Sequence, residues 1–154
     1  MGKLVMKCHA VVEGIADGEA LVTSQPLSLW GGFNPKSGLI TDRRHELYGK
    51  RVSGKVLVFP HGKGSVSGTT VLLESIRLGK APIAIVNLET DPVIALGAVL
   101  AEKMYGKVVP IVDKPEINPM EVIRTGDFVK VNARIGIIEV TRLKSQQHNF
   151  DKNK

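Results

Sequence analysis

The chain has 154 residues, of which 43% are hydrophobic and 23% charged, a composition typical of one soluble domain with its own core. No apolar run approaches the roughly 20 residues that cross a bilayer, and the N-terminus lacks the apolar core of a secretory signal. We therefore expect a cytoplasmic protein. The lone cysteine, Cys8, excludes an internal disulfide and a cysteine-rich metal site, and its apolar neighbours predict a small buried residue.

The net charge of +6 raises the question of nucleic-acid binding. Half of this excess belongs to residues 141–154, which carry four basic residues and one acidic residue. Such a polar segment is typical of a solvated end, and an aromatic content of 5% argues against surfaces that stack on single strands. We expect one domain over 1–140 and a basic, disordered tail over 141–154. Nucleic-acid binding stays a minor hypothesis.

The first half of the chain predicts strands around a long loop. Strands are expected over 7–13 and 19–22, with a turn at 14–18 between them. Residues 24–50 are irregular, and loops of this length inside a domain are usually functional or disordered. The apolar side chains in this segment favour an ordered loop. A β-branched run then predicts a strand over 52–59.

The second half predicts helices that alternate with buried strands. Gly79 and Gly106 are typical helix ends, and Thr90-Asp91-Pro92 is a typical helix start. The elements in order are a helix over 69–78, a strand over 83–88, a helix from 90 to about 105, a strand over 107–112, a short helix over 120–123, and a hairpin of 128–132 with 136–140. The result is an α/β fold with a central β-loop-α-β-α-β unit.

A glycine-rich loop, Gly62-Lys63-Gly64-Ser65-Val66-Ser67-Gly68, joins a buried strand to a helix. Its glycines let backbone N–H groups approach a ligand, the helix start adds unpaired donors, and Lys63 adds a positive charge. Such a loop suits a carboxylate or a phosphate. Its spacing matches neither a P-loop nor a dinucleotide-binding fingerprint. A tight turn followed by a capped helix explains the same residues equally well.

Ser65 is the candidate for chemistry in this loop. A serine hydroxyl is a poor base unless nearby donors and a cation stabilise its alkoxide, and the loop supplies both. The residues do not establish a Ser–His–Asp triad. The histidines show no metal-ligand spacing, so we expect structural or solvated roles for His9, His45, His61 and His148.

Several polar residues have two interpretations each. Lys63 either binds a substrate anion or is a solvated loop lysine. Ser67 either donates to substrate or caps the following helix, and capping is favoured. Arg43 and Arg44 either bind phosphate or form a solvated basic face, with Asp42 orienting one of the arginines.

Four separated segments give the chain a family resemblance from about residue 7 to 140. They occur in order and at similar spacing in aconitase X-type dehydratase small subunits: GIADGEALV at 14–22, SLWGGFNP at 28–35, GLITD at 38–42, and GKVLVFP at 54–60 running into GKGS at 62–65. The resemblance implies a swivelling β/β/α three-layer domain. With this resemblance, residues 31–35 are expected to form an active-site rim or a subunit interface, with a plain turn as the alternative. Trp30 is either an interface anchor or a local packing residue.

The resemblance further implies a hydro-lyase made of two subunits. A serine of the GKGS segment is the family's proton acceptor, which matches Ser65, and Gly64, Lys63, Ser67 and Arg43 are the substrate-binding candidates. A four-iron four-sulfur cluster needs about three or four cysteines. It is therefore expected on a larger partner subunit and not on this chain, with its iron acting as a Lewis acid on the leaving hydroxyl.

The reaction implied is loss of water from (R)-5-phosphomevalonate to give trans-anhydromevalonate 5-phosphate, in the archaeal mevalonate route to isoprenoids. The excess of basic residues suits an anionic small-molecule substrate of this kind. Two alternatives remain at this point. One is a related dehydratase subunit that acts on another hydroxy acid, such as a hydroxyproline. The other is a non-catalytic anion-binding module.

Overall fold

A computed structural model describes residues 2–142 and contains, within that range, ten strands and three helices. The strands are β1 (Gly2–Lys7), β2 (His9–Val12), β3 (Ile15–Val22), β4 (Phe33–Asn34), β5 (Leu39–Ile40), β6 (Val56–Val58), β7 (Ala84–Val86), β8 (Ile111–Asp113), β9 (Phe128–Asn132) and β10 (Ile137–Arg142). The helices are α1 (Gly68–Arg77), α2 (Pro92–Tyr105) and α3 (Pro119–Val122). No helix within residues 2–142 is long and apolar enough to cross a membrane.

Eight strands form one sheet in the order β1-β10-β9-β3-β6-β7-β8-β2. Only Cys8 separates β1 from β2, yet these two strands lie at opposite edges of the sheet. The sheet must therefore curl until its edges meet, and the N–H of Cys8 donates to the carbonyl of Gly136 at 2.9 Å near this junction. The curl turns one sheet into two facing β layers.

Two apolar clusters fill the space on either side of the parallel strands. Because side chains alternate along a strand, Val56 and Val58 of β6 belong to the cluster inside the curl, whereas Leu57 belongs to the other. The second cluster joins β6, β7 and β8 to the two long helices through buried side chains that include Leu57, Ile85, Ile111, Leu72, Ile76, Ile94 and Ala98. The helices form a third layer, which confirms the predicted α/β fold with β/β/α layers.

The central β-loop-α-β-α-β unit is also confirmed. Strands β3, β6, β7 and β8 are parallel, α1 connects β6 to β7, and α2 connects β7 to β8. Helix α2 has the predicted ends, because the Asp91 carboxylate accepts the N–H of Val93 at 2.8 Å and Gly106 has a φ of +66°. The carboxyl ends of the parallel strands consequently meet at one edge of the sheet.

The predicted N-terminal strands are wrong in their boundaries. The strand expected over 7–13 is the shorter β2, β1 was not predicted, and most of the turn expected at 14–18 is the first half of β3. Gly18 explains the second error. A Cβ at this position would lie 2.6 Å from Cδ1 of Ile83, so the glycine permits close packing within a strand and does not mark a turn.

The long segment over 24–50 is ordered, as expected. It contains the small β4–β5 hairpin and contributes Leu27, Phe33, Ile40 and Leu47 to the buried core. These side chains fasten the segment against the helices and the parallel strands. The predicted strand over 52–59 is shorter than expected, because a turn at Gly54, with a φ of +74°, precedes β6.

Strand β10 ends at Arg142, two residues beyond the predicted domain boundary at 140. The guanidinium of Arg142 donates to both carboxylate oxygens of Asp127, at 3.1 and 3.0 Å, and to the carbonyl of Val122 at 2.9 Å. Asp127 is fully buried. Residues 141 and 142 therefore belong to the sheet, while the remainder of the predicted tail, 143–154, lies outside the described residues.

Candidate functional site

The glycine-rich loop starts at the carboxyl edge of the parallel strands, directly after β6. Ligands of open α/β sheets usually bind at this edge. The loop is fastened on one side by Leu27, whose N–H donates to the carbonyl of His61 at 3.3 Å and whose carbonyl accepts the N–H of Lys63 at 2.9 Å. The loop therefore has a defined position relative to the ordered segment over 24–50.

Gly64 gives the loop its sharp bend. Its φ is +101°, which L side chains rarely adopt, and a Cβ there would lie 2.7 Å from Oγ of Ser28. Within residues 2–142, no acceptor receives a hydrogen bond from the backbone N–H groups of Gly64, Ser65 or Val66. Unpaired amides just before a helix are donors that an anion can use.

Ser65 lies among these amides and has an exposed side chain. Its Oγ accepts the backbone N–H of Ser67 at 3.0 Å. A donor at this distance stabilises negative charge on the oxygen, and the effect grows as the hydroxyl becomes an alkoxide. The geometry thus provides the amide donor that the sequence analysis required for a basic serine.

Ser67 does not cap α1 through its side chain, contrary to the favoured expectation. It occupies the N-cap position, but its hydroxyl makes no cap hydrogen bond. Its φ of −61° and ψ of −18° are helical, whereas capping residues usually have an extended backbone. What Ser67 contributes to the loop is its backbone N–H, which is directed at Ser65.

The predicted basic residues are only partly brought together. Lys63 lines a small pocket with Ser65 and also an open cleft on its other side. Both arginines are exposed, but only Arg44 lines this cleft with Lys63. Asp42 accepts the backbone N–H of Arg44 at 3.0 Å, so it shapes the turn and does not hold a guanidinium.

Gln25, which was not predicted from the sequence, lines the same cleft. A single glutamine in an irregular segment carries no motif, and the choice between two adjacent arginines carries no periodic signal either. The hydrogen bond from the N–H of Arg44 to the side chain of Asp42 is typical of an Asx turn. This short-range pattern is the one signal that favours a fixed direction for Arg44.

Trp30 lies close to the Ser65 loop, because Ser28 is next to both. The hydroxyl of Ser28 donates to the carbonyl of Trp30 at 3.0 Å, and it also faces Gly64. The indole is 62% exposed, and Val66 in the loop is 78% exposed. Neither side chain belongs to the buried core.

The histidines of the described residues have polar partners within the chain. His9 bonds Asp113 at 2.8 Å, His61 donates to the carbonyl of Gly62 at 2.9 Å, and the ring of His45 is bonded at both nitrogens. Within residues 2–142, no group of three or more His, Cys, Asp and Glu side chains is placed to hold a metal ion. The donor set therefore does not fit an iron–sulfur cluster. His148 lies outside the described residues.

Cys8 is half-buried, and its burial, together with the negative charge of Asp113, raises the pKa of the thiol to about 11. Alkylating reagents react with the thiolate, so a raised pKa lowers the reactive fraction at pH 8 by about 100-fold relative to an ordinary cysteine. We expect the rate of iodoacetamide labelling to rise with pH up to about 11. The urea-unfolded chain is the control, and a plateau of the folded-state rate near pH 9 contradicts this prediction.

Comparison with known proteins places this geometry in a family. The sequence model of the aconitase X swivel domain matches residues 5–140. The phosphomevalonate dehydratase small subunit of Methanosarcina acetivorans is 41% identical over 147 residues, which is 96% of this chain and 98% of that protein.

Two further similarities extend this result. The cis-3-hydroxy-L-proline dehydratase of Pseudomonas aeruginosa is 46% identical over 103 residues, which is 67% of this chain and 18% of that enzyme. The crystal structure of holo-form aconitase X from Thermococcus kodakaraensis aligns with a TM-score of 0.81 at 34% identity, covering 90% of this chain and 99% of that chain. The chain therefore belongs to the aconitase X swivel domain family.

Proposed function

We propose that this chain is the small subunit of a two-subunit hydro-lyase that converts (R)-5-phosphomevalonate to trans-anhydromevalonate 5-phosphate, with Ser65 as the proton acceptor. The observation that carries the proposal is the position of the Ser65 hydroxyl, beside unpaired loop amides and Lys63. The substrate follows from relatives that are named phosphomevalonate dehydratase small subunits and align over nearly their whole length.

Ser65 acts in this proposal as an alkoxide. Its Oγ takes the proton from the carbon next to the substrate carboxylate, and the electrons of the broken C–H bond form the new double bond. The hydroxyl on the neighbouring carbon leaves and, with a proton, becomes water. The amide of Ser67, 3.0 Å from Oγ, stabilises the alkoxide before the proton is taken.

The loop amides have a separate task, which is to hold the substrate carboxylate. Negative charge develops on this carboxylate as the adjacent proton leaves, and fixed N–H donors stabilise such charge without reorganising. The unpaired N–H groups of Gly64, Ser65 and Val66 are suited to this task, and Lys63 adds a positive charge at the same pocket.

A larger partner subunit completes the enzyme. The relatives are named small subunits, and the Pseudomonas enzyme contains the matched region as 18% of a longer chain. We assign the iron–sulfur cluster that the family implies to this partner, because residues 2–142 lack suitable ligands. Trp30 and Val66, which are exposed apolar side chains beside the loop, are the proposed contacts with the partner.

The proposal is tested by producing this chain together with a candidate larger subunit from the same genome, without oxygen, and purifying the pair through a tag on this chain. We expect a complex that releases water from 5-phosphomevalonate, detected by mass spectrometry of the product. The chain alone is the control and is expected to be inactive.

Two other outcomes change the function in distinct ways. The 46% identity to the Pseudomonas enzyme supports hydroxyproline as the second candidate substrate, and turnover of cis-3-hydroxy-L-proline alone favours that candidate. Failure to bind any larger subunit, combined with anion binding by the chain alone, favours a non-catalytic binding module.

A further inference from the structure

An open cleft lies beside the Ser65 pocket and has a volume of about 520 Å³. Its lining consists of Gln25, Pro26, Asp42, Arg44, His45 and Lys63. Because Lys63 lines both the cleft and the Ser65 pocket, the two spaces are neighbours that share one cation. An anionic group bound in the cleft would therefore lie next to the cation that also lines the Ser65 pocket.

The charged side chains that line the cleft leave it positive. Within residues 2–142, the side chains of Arg44 and Lys63 form no ion pair and no hydrogen bond. Asp42 is the acidic residue of the lining, and its Oδ1 already accepts the backbone N–H of Arg44. The lining thus holds two cations and one carboxylate, which leaves one positive charge in excess.

His45 fixes the floor of the cleft without adding charge. Its Nδ1 accepts the N–H of Leu47 at 3.0 Å, so the ring proton is on Nε2, which faces the carbonyl of Pro26 at 3.2 Å. The residue is buried and both ring nitrogens are used. Binding of an anion in the cleft consequently depends on the neighbouring cations and amide, not on this imidazole.

Gln25 presents an amide donor at the wall of the cleft. Its Oε1 accepts the backbone N–H of Glu46 at 3.0 Å, which turns Nε2 away from that bond. Within the described residues, no acceptor receives a hydrogen bond from this Nε2. The carboxylate of Glu46 is engaged by the hydroxyl of Thr23 and does not line the cleft.

We infer that this cleft is the subsite for the second anionic group of the substrate, a phosphate, and that Arg44 is its main ligand. The inference rests on the proposed function, in which the Ser65 pocket holds the carboxylate end. The guanidinium of Arg44 matches phosphate oxygens in a forked geometry, Nε2 of Gln25 adds a neutral donor, and Lys63 lies between the two anionic ends.

The adjacent arginines provide a matched test in the assembled enzyme. Arg44→Gln removes the charge from the cleft, whereas Arg43→Gln removes an equal charge from the same turn outside it. We expect Arg44→Gln to raise KM for 5-phosphomevalonate by about 10- to 100-fold, with kcat changed only a few-fold. Arg43→Gln is expected to stay close to the wild type, and Arg44→Lys to recover part of the loss.

Inorganic phosphate gives a second readout on the same three proteins. It is expected to inhibit the wild-type complex competitively and to inhibit Arg44→Gln at least about 10-fold more weakly. If the wild-type complex is active, an unchanged KM in Arg44→Gln overturns the subsite alone. Equal increases in KM in both glutamine variants overturn it as well. A wild-type complex that does not turn over the phosphorylated acid overturns the proposed function and the subsite together.

Discussion

The Ser65→Ala variant of the assembled enzyme is expected to lose about 10³-fold in kcat, the loss typical of removing a positioned general base. Alanine removes the oxygen that accepts the N–H of Ser67 and, in the proposed reaction, the substrate proton. The exposed side chain leaves no cavity when it is shortened, so the fold and the partner contact should persist. Steady-state turnover of 5-phosphomevalonate measures the effect.

Ser24→Ala is the control for this experiment, because Ser24 is also an exposed loop serine but lies outside the Ser65 pocket. Its turnover should match the wild type. Gel filtration of each variant with the larger subunit shows whether the complex still forms. Full turnover by an intact Ser65→Ala complex would refute the proton-acceptor role and would leave the loop with a binding role only.

The Asp127→Ala variant is expected to lose about 3–5 kcal/mol of unfolding free energy, as is usual when one partner of a buried ion pair is removed. Asp127 is fully buried and accepts both the guanidinium of Arg142 and the N–H of Arg124 at 2.8 Å. Its removal leaves the Arg142 charge, whose side chain is 15% exposed, without this compensating carboxylate. Urea denaturation followed by circular dichroism measures the loss.

Glu74→Ala provides the comparison, because Glu74 pairs with Arg77 on the exposed surface of α1. Exposed pairs contribute little since water screens them, although the hydrogen bond and charge of Arg77 lower the pKa of the Glu74 carboxyl. The urea midpoint of this variant should barely move. A similar midpoint for both variants would show that the Asp127 pair does not hold β10 to the sheet.

Helix α2 and the Ser65 loop show how much local signals determine. Asp91, Pro92 and Gly106 define both ends of the helix, because helix caps depend on residues within one turn of the chain. The location of the candidate site after a buried strand was also predictable, since glycine-rich strand-to-helix connections have a recognisable pattern. The same local segments carried the family resemblance, which the comparisons confirm.

The roles of Ser67 and the two arginines were not predictable in the same way. Whether Ser67 caps the helix depends on its backbone torsions. The loop that contains it is held by hydrogen bonds between Leu27 and two residues, His61 and Lys63, that lie 34 and 36 positions later. Which arginine lines the cleft with Lys63 depends on how the turn that begins at Asp42 is placed in the fold. Adjacent residues have similar local patterns, so the distinction arises only when distant segments meet.

The sequence by itself determined the alternation of buried strands and helices, the two ends of α2, and the position of the glycine-rich loop that contains Ser65. The tertiary structure alone decided which strands pair, since β1 pairs with β10 and β2 pairs with β8. The apolar run around Cys8 is therefore divided between the two opposite edges of the sheet. The tertiary structure also decided that Arg44 and Gln25 share a cleft with Lys63. The physical reason is that turns and caps are satisfied by neighbours in sequence, whereas strand pairing and clefts require contacts between residues far apart along the chain.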